Sequence, residues 1–342
     1  MKVSVIATVL NEGQAIERLL ESLEAQTRPP DEVVIADGGS TDGTVDILNE
    51  WSASRRLPLR VLAAPGANIS AGRNAAIAAA RGEIIASTDA GVQLEPGWLA
   101  SLVAPLEDAS RDAANRFVAV VSGWFVADPH TVFETAMGAT VLPNLQEIKP
   151  AQFLPSSRSV AFRQVAWEAV NGYPEWLDYC EDLVFDLRLR SLYGPFPFVP
   201  DAAVHFRPRR SLAAFFRQYY HYARGDGKAD LWRKRHALRY LTYLLVAPGL
   251  VVLAILHSPW WWLALLAGAA VYTTAPYRRL WPMLDKYDLL DRLKAIALVP
   301  VIRVVGDVAK MLGYPAGLAW RWRNRHRPEV HWRREVGALR RW

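Results

Sequence analysis

The residues that could do chemistry are mostly acidic, and several fall where short apolar runs end. Asp89 follows Ile84, Ile85 and Ala86, a run with β-branched residues bounded by Gly82 and Gly91, so a carboxylate sits where a buried strand stops. Asp37 closes a second such run, ahead of Gly38 and Gly39, which let a backbone approach a ligand. Asn11 and Glu12 follow a third. Ligands of open α/β sheets collect at the carboxyl edge, and several polar groups converging there suggest a site. An Asp after a strand also serves simply to open a turn, and Asp42 reads as a cap or charge complement at a helix start. Glu181 and Asp182 open a later helix. Macrodipole complementarity explains such a pair without chemistry, while the same field would keep it ionised as a base. His205 stands among apolar residues, a position open to a structural or a ligand role. No Ser/His/Asp or Cys/His set for covalent catalysis is evident. The single cysteine, Cys180, excludes an intrachain disulfide and fits a reducing compartment.

The elements that must position these groups follow from periodicity. Residues 2–10 read as a strand, 15–26 as a helix, 32–36 as a strand, then a helix through Val45, Leu48 and Trp51. A strand at 59–63, an Ala-rich helix at 70–81 closed by Gly82, and a strand at 83–88 come next. This alternation calls for a parallel, doubly wound sheet. No dinucleotide glycine fingerprint follows the first strand, which disfavours a nicotinamide or flavin domain. After residue 92 the alternation loosens. A helix from Trp98, strands at 117–126 and 157–162, a helix at 165–170, an aromatic loop at 171–176 and a helix from 180 are expected, then short strands at 196–199 and 203–206. Residues 211–224 form an amphipathic helix, with Leu212, Phe215, Phe216, Tyr219 and Tyr222 opposite Arg217, Gln218, His221 and Arg224, ended by Gly225-Asp226-Gly227. It suits a membrane interface or ordinary packing equally.

The bulk of the chain points to a membrane rather than to nucleic acid. Of 342 residues 51% are hydrophobic, which allows a sizeable core and excludes global disorder. The net charge of +6 is uneven, with Arg concentrated after residue 205 beside Trp-rich sequence, a pattern suited to an anionic membrane face. Met1-Lys2 leads straight into the first strand, with no signal-peptide pattern. Residues 240–256 and 258–277 carry no charge, each being long enough to span, and Trp260, Trp261 and Trp262 cluster between them. Arg233, Lys234, Arg235 and Arg239 precede the first span, and Arg278 and Arg279 follow the second, so a hairpin with both ends cytoplasmic is expected, buried helices of a soluble protein being the alternative. Residues 295–312 place Arg303, Asp307 and Lys310 at helical spacing and are expected to lie in the interface. The Arg- and Trp-rich tail to Trp342 is expected on anionic headgroups.

Taken together and in order, VSVIATVLNEG, EVVIADGGSTDGT, SAGRNAAIAAARGEIIASTDAG and the later CED resemble the family-2 glycosyltransferases, over roughly residues 2–225. The resemblance implies a GT-A type α/β fold over 1–230, a Rossmann-like mixed sheet flanked by helices, with the amphipathic 211–224 helix at the interface. An α-helical membrane region would follow: a transmembrane hairpin at 236–280, then an interfacial helix and basic tail at 281–342. It implies a nucleotide-diphosphate sugar donor, usually a divalent metal (Mn²⁺ or Mg²⁺), and transfer with inversion. Carried over by position, Thr8, Asn11 and Glu12 lie near the nucleotide, Asp37 meets the base ring, and Arg73 and Asn74 stand beside the ribose and diphosphate. Asp89 corresponds to the first acid of the family's Asp-x-Asp metal motif, Asp182 to the catalytic base, with Glu181 alongside. Gln218 and Arg224 are similar to the Gln-x-x-Arg-Trp segment of membrane-bound relatives. The metal motif departs from the family, reading Asp89-Ala90-Gly91, and His205 is placed to compensate as a further ligand. The expected protein is an inverting transferase at the cytoplasmic face of the inner (plasma) membrane, acting on a lipid or lipid-linked saccharide. A processive synthase is disfavoured, since two spanning helices make a poor channel. The rival is a non-catalytic nucleotide-sugar-binding or scaffold protein.

Overall fold

Strict alternation along the first strands builds the sheet. In β1 (Val3–Val9), Val3, Val5, Ala7 and Val9 enter one apolar layer and Ile6 the other. In β2 (Glu32–Asp37), Val33 and Ile35 enter the first layer, Val34 and Ala36 the second. With β3 (Leu59–Ala63) and β4 (Ile84–Ser87) these strands run parallel. The full order is β3-β2-β1-β4-β7-β6-β8-β5, with β5 (Val92–Leu94), β6 (Val120–Ala127), β7 (Val160–Arg163) and β8 (Phe198–Phe206). β7 joins β4 antiparallel, so the doubly wound half becomes a mixed sheet beyond it. On the face of Val3 and Val5 lie α1 (Ala15–Glu24), α2 (Thr44–Ser54) and α4 (Trp98–Glu107). On the other lie α3 (Ile69–Ala79), α6 (Gln164–Ala169) and α7 (Glu181–Tyr193).

The computed structural model describes residues 1–108 and 117–339, and the chain divides into two units. The sheet belongs to the first, made of residues 1–128, 148–206 and 331–342. The second comprises residues 129–147 and 207–330 and is helical. It contains α5 (Val132–Val141), α8 (Leu212–Ala229), α9 (Arg233–Leu241), α10 (Ala247–Leu256), α11 (Trp261–Leu280) and α12 (Leu289–Arg323). Phe215, Leu280, Ala295, Val299 and Ile302 form its core with Ala136, Met137 and Ala139. A π-helical turn, Thr242–Val246, joins α9 to α10, and the continuous Arg233–Leu256 segment, with mean hydropathy 1.9 over its most apolar 18 residues, is the one helix among the described residues long and apolar enough to cross a membrane. Its side chains and those of α11 stand open, with Leu245, Ile255, Leu256, Leu266 and Val271 all more than 60% exposed. The short helix α13 (Trp332–Leu339) is the last described element, and Arg340, Arg341 and Trp342 of the expected headgroup-binding tail lie outside the described residues.

Three expectations change. The two short strands at 196–199 and 203–206 are one strand, β8, which carries Pro200 and Asp201 through a register shift opposite Ser122 and Trp124. The helix expected to end at Gly225 runs on to Ala229. Its glycines do not break it, because α8 and α12 meet backbone to backbone: a Cβ at Gly227 would run into Tyr314 O, and one at Gly317 into Arg224 O. The apolar stretch at 295–312 is the middle of a 35-residue helix whose first turn is capped by Asp288, accepting from Asp291 N at 2.8 Å.

Candidate active site

The carboxyl ends of β1 and β2 carry loops tied by side chains to backbone. Asp37 is buried and accepts from Gly39 N at 3.0 Å and Ser40 N at 3.1 Å, while Gly39 takes a φ of +102° that favours glycine. Asn11 Oδ1 accepts from Thr41 N at 2.8 Å, and Thr44 Oγ1 accepts from Glu12 N at 3.0 Å and Gly13 N at 2.8 Å. Asp42 accepts from Thr44 N and Oγ1, the local helix-start role. Thr8 lies against α3, where a Cβ at Gly72 would come 2.8 Å from its Cγ2. The Glu12 carboxylate reaches the space beside Gly91, 3.8 Å from where a Cβ there would stand.

Arg73, on α3, is the centre of the constellation. Its side chain is almost fully buried, and its two terminal nitrogens donate to Asp89 Oδ1 and Glu181 Oε1, each at 2.8 Å. One guanidinium therefore joins the end of β4 to the start of α7. Arg158, on the loop before β7, reaches Asp89 Oδ2 at 3.2 Å and stacks 4.7 Å over the Phe206 ring. Asp182 stands next to Glu181 in the first turn of α7 and accepts from Leu183 N at 2.8 Å. One turn on, Asp186 is buried, with no hydrogen-bond partner for Oδ2. Asn74 faces elsewhere: its amide donates to Tyr173 O and Glu175 Oε1 and accepts from Tyr173 N and Trp167 Nε1. Three of these bonds clamp the 171–175 loop that leads into α7, and the fourth ties Asn74 to α6.

The electrostatics sort these carboxylates. Burial works to raise Asp89, but Arg73 and Arg158 overcome it and hold the group below the usual carboxylate range. Glu181 is pushed up to about 7 by burial and the adjacent Asp182, against the pull of Arg73. Asp182 is raised by burial, again against Arg73, and Asp186 is raised well above its ordinary value by burial and by Asp182. The result is a set of carboxyl groups more basic than usual beside two guanidinium groups, an arrangement suited to taking a proton while meeting an anion.

Before a donor binds, these carboxylates are matched by guanidinium groups rather than gathered around a divalent metal. Each Asp89 oxygen is engaged by a guanidinium, and His205 Nε2 faces Glu95 Oε1 at 2.5 Å. Among the described residues no group of three His, Cys, Asp or Glu gathers where an ion could be held. His205, expected as a metal ligand with Asp89, lines a half-open cleft of about 570 Å³ with Arg18, Glu21, Gln93, Glu95 and Asp128. That cleft shares no residue with the Arg73 constellation, and Arg18 within it is already matched by Gln93 and Asp128. Gln218 and Arg224 belong to the other unit, on α8, where Gln218 donates to Tyr222 Oη at 2.8 Å.

Sequence reasoning passed over two members of the constellation. Asp186 carries a readable signal, an i,i+4 repeat of Asp182 on an otherwise apolar helix face. Arg158 carries none beyond standing just ahead of a buried strand.

Residues 4–169 match the sequence profile of the family described as Glycosyl transferase family 2. The chain is 30% identical over 258 residues to the succinoglycan biosynthesis protein ExoA of Rhizobium meliloti, covering 71% of this chain and 75% of that protein. It is 26% identical over 225 residues to the glycosyltransferase AglE of Haloferax volcanii, 64% of each. Its fold is similar to that of the mannosyltransferase PcManGT from Pyrobaculum calidifontis, a structure in complex with GDP-Man and Mn²⁺, with a TM-score of 0.60 at 22% identity over 91% of this chain and 87% of that one.

Proposed function

Because the chain belongs to glycosyl transferase family 2, we propose that it moves a sugar, with inversion, from a nucleotide-diphosphate donor to a hydroxyl of a lipid or lipid-linked saccharide at the cytoplasmic face of the plasma membrane. Family membership makes it a glycosyltransferase and removes the non-catalytic scaffold alternative. The observation that carries the finer reading is the single guanidinium of Arg73 bonded to Asp89 and Glu181 at 2.8 Å each, with Asp182 beside them. Asp182 accepts the acceptor's proton as its oxygen attacks the anomeric carbon. The bond from that carbon to the diphosphate breaks, and its electron pair leaves with the diphosphate. A carboxylate more basic than usual suits that step, and Glu181, held by Arg73, orients the start of α7. Asp89 positions Arg73 and Arg158, whose positive charge meets the leaving diphosphate, so this step draws positive charge from the chain itself. Arg158, a quarter exposed, is the one able to reach out to it. Asp37 takes the base ring, and Thr8, Asn11 and Glu12 line the nucleotide. Gln218 and Arg224 are assigned to the donor on the resemblance of their segment alone.

The membrane reading rests on the open apolar side chains of α10 and α11 and the basic residues flanking them. Residues 236–280 form the hairpin, with both ends cytoplasmic. A succinoglycan biosynthesis relative supports a saccharide product. Melting of the purified full chain against a panel of UDP-, GDP- and dTDP-sugars tests the donor class, because a bound ligand stabilises by mass action. A specific upward shift with one sugar nucleotide, followed by its turnover, is expected; no shift with any of them would contradict the assignment.

A further inference from the structure

The helix α12 carries a second charged cluster that the transfer reaction does not use. Arg303, Asp307 and Lys310 stand at i, i+4 and i+7 and share one face. Asp307 is already matched. Arg239 Nε donates to its Oδ1 at 2.7 Å, and Tyr272 and Tyr243 bond its Oδ2. Lys310 Nζ lies 4.0 Å from the same Oδ1, beyond a hydrogen bond, and 4.9 Å over the Tyr219 ring. Arg303 has no carboxylate partner among the described residues. Its guanidinium stacks 4.2 Å over Tyr272 and donates once, to Tyr272 O at 3.1 Å, while its buried Nε has no acceptor. Asp226 bonds His236, whose Nδ1 faces Arg239, and its charge also acts on Lys310. Three fixed cations therefore meet two carboxylates.

An unmatched guanidinium with an unsatisfied buried donor is costly inside a protein or a bilayer, and positions of this kind mark ligand or ion sites. Beside it runs an open apolar strip of the same helix, Val301, Val304, Val308 and Leu312, each 38–56% exposed. We propose that Arg303 and Lys310 bind the phosphate of an amphiphile whose hydrocarbon chain lies along that strip. The site rests on the membrane reading given above. Two sources share this chemistry: an anionic phospholipid headgroup, and a prenyl phosphate of the kind a lipid-linked acceptor carries.

The full chain, purified in neutral detergent, is melted with farnesyl phosphate, with farnesol and with inorganic phosphate, and separately in nanodiscs of phosphatidylcholine with or without phosphatidylglycerol. Stabilisation of about 2–4 °C is expected from farnesyl phosphate or from phosphatidylglycerol, and not from farnesol. A shift with the first alone identifies a prenyl phosphate, and one with the second alone a headgroup. Arg303→Gln and Lys310→Gln should each lose at least half of the shift. The ligand-free Arg303→Gln protein should melt no lower than the parent, because removing an unmatched charge relieves a cost. Equal shifts with farnesol, full shifts in both variants, or a ligand-free Arg303→Gln protein that melts well below the parent would overturn the site. Flotation with phosphatidylcholine vesicles separates the two failures: a chain that does not float defeats the membrane reading, whereas one that floats without a phosphate-dependent shift defeats only this site.

Discussion

The two units of this protein treat charge and apolar surface in opposite ways. In the sheet-bearing unit Arg73 itself is buried and matched, with Asp89 and Glu181 on one guanidinium and Arg158 on the free oxygen of Asp89. Its apolar side chains fill two layers on either side of the sheet. In the helical unit Arg303 has no matching carboxylate among the described residues, and α10 and α11 leave leucine, isoleucine and tryptophan open. Water suits the first arrangement, since a matched network keeps its own geometry once desolvated. The second is costly in water and fits the membrane setting proposed above, where lipid would cover the apolar side chains and a phosphate would meet the cation. On that proposal the contrast separates a preorganised reaction site from a lipid-facing region.

The largest effect expected from breaking this contrast is at Arg73. Arg73→Met strands the buried Glu181 and takes from Asp89 one of its two guanidinium partners, and loss of about 3–5 kcal/mol should appear as a marked drop in melting temperature with loss of turnover. Arg303→Gln in the other unit should show no such drop, so the two variants melted side by side test the difference directly. Next is Arg158→Ala, which leaves Asp89 its bond to Arg73 but removes the charge that reaches outward. Turnover should fall roughly tenfold to a hundredfold, as for a hydrogen bond to a charged group, while excess EDTA leaves the parent enzyme's rate unchanged. A rate abolished by EDTA and restored by Mn²⁺ would return the leaving-group role to a metal. On the helical side, a Cys placed at Ser258 should react with an impermeant reagent from outside the cell and one placed at Arg279 should not, with Cys180 common to both samples. The reverse pattern would invert the hairpin.

The smallest effect is in pH. Glu181 has its folded pKa raised to about 7, so the stability it contributes is complete below about 4.5 and is lost as pH rises through about 7, and Asp182, also raised, acts in the same direction. Asp89 is lowered and works the other way, losing its contribution as pH falls below the ordinary carboxylate range. Between pH 5 and pH 8 melting should therefore decline gently while turnover rises, because the base must be ionised. Parallel trends in the two measurements would show that the raised carboxyls are not the reacting ones.

Much of this was legible in the chain itself. β1 to β4 and their helices announce themselves by period, since each strand alternates between two buried layers and each helix offers one apolar stripe. Asp37, Asp89, Glu181 and Asp182 were found because strand ends and helix starts are marked by composition. What stayed hidden depends on contacts distant in sequence. β5 has three residues and exists through its pairing with β8, and α5 belongs with helices more than a hundred residues on. Gly225 and Gly227 read as a stop, yet α8 continues because α12 packs against its backbone. Arg158 lies 69 positions from Asp89, and no local pattern links them. His205 looked like a compensating ligand by its place in a resemblance, but pairing of β8 with β5 brings it to Glu95.

The central claim is that the Arg73 constellation performs the transfer, with Asp182 taking the proton. Asp182→Asn keeps size and shape while removing basicity, so donor affinity and turnover should be measured on the same preparation by titration calorimetry and product formation. The account predicts affinity close to that of the parent and turnover reduced by about a hundredfold or more, the usual worth of a positioned general base. Turnover close to the parent's, or donor affinity lost as severely as turnover, would contradict it.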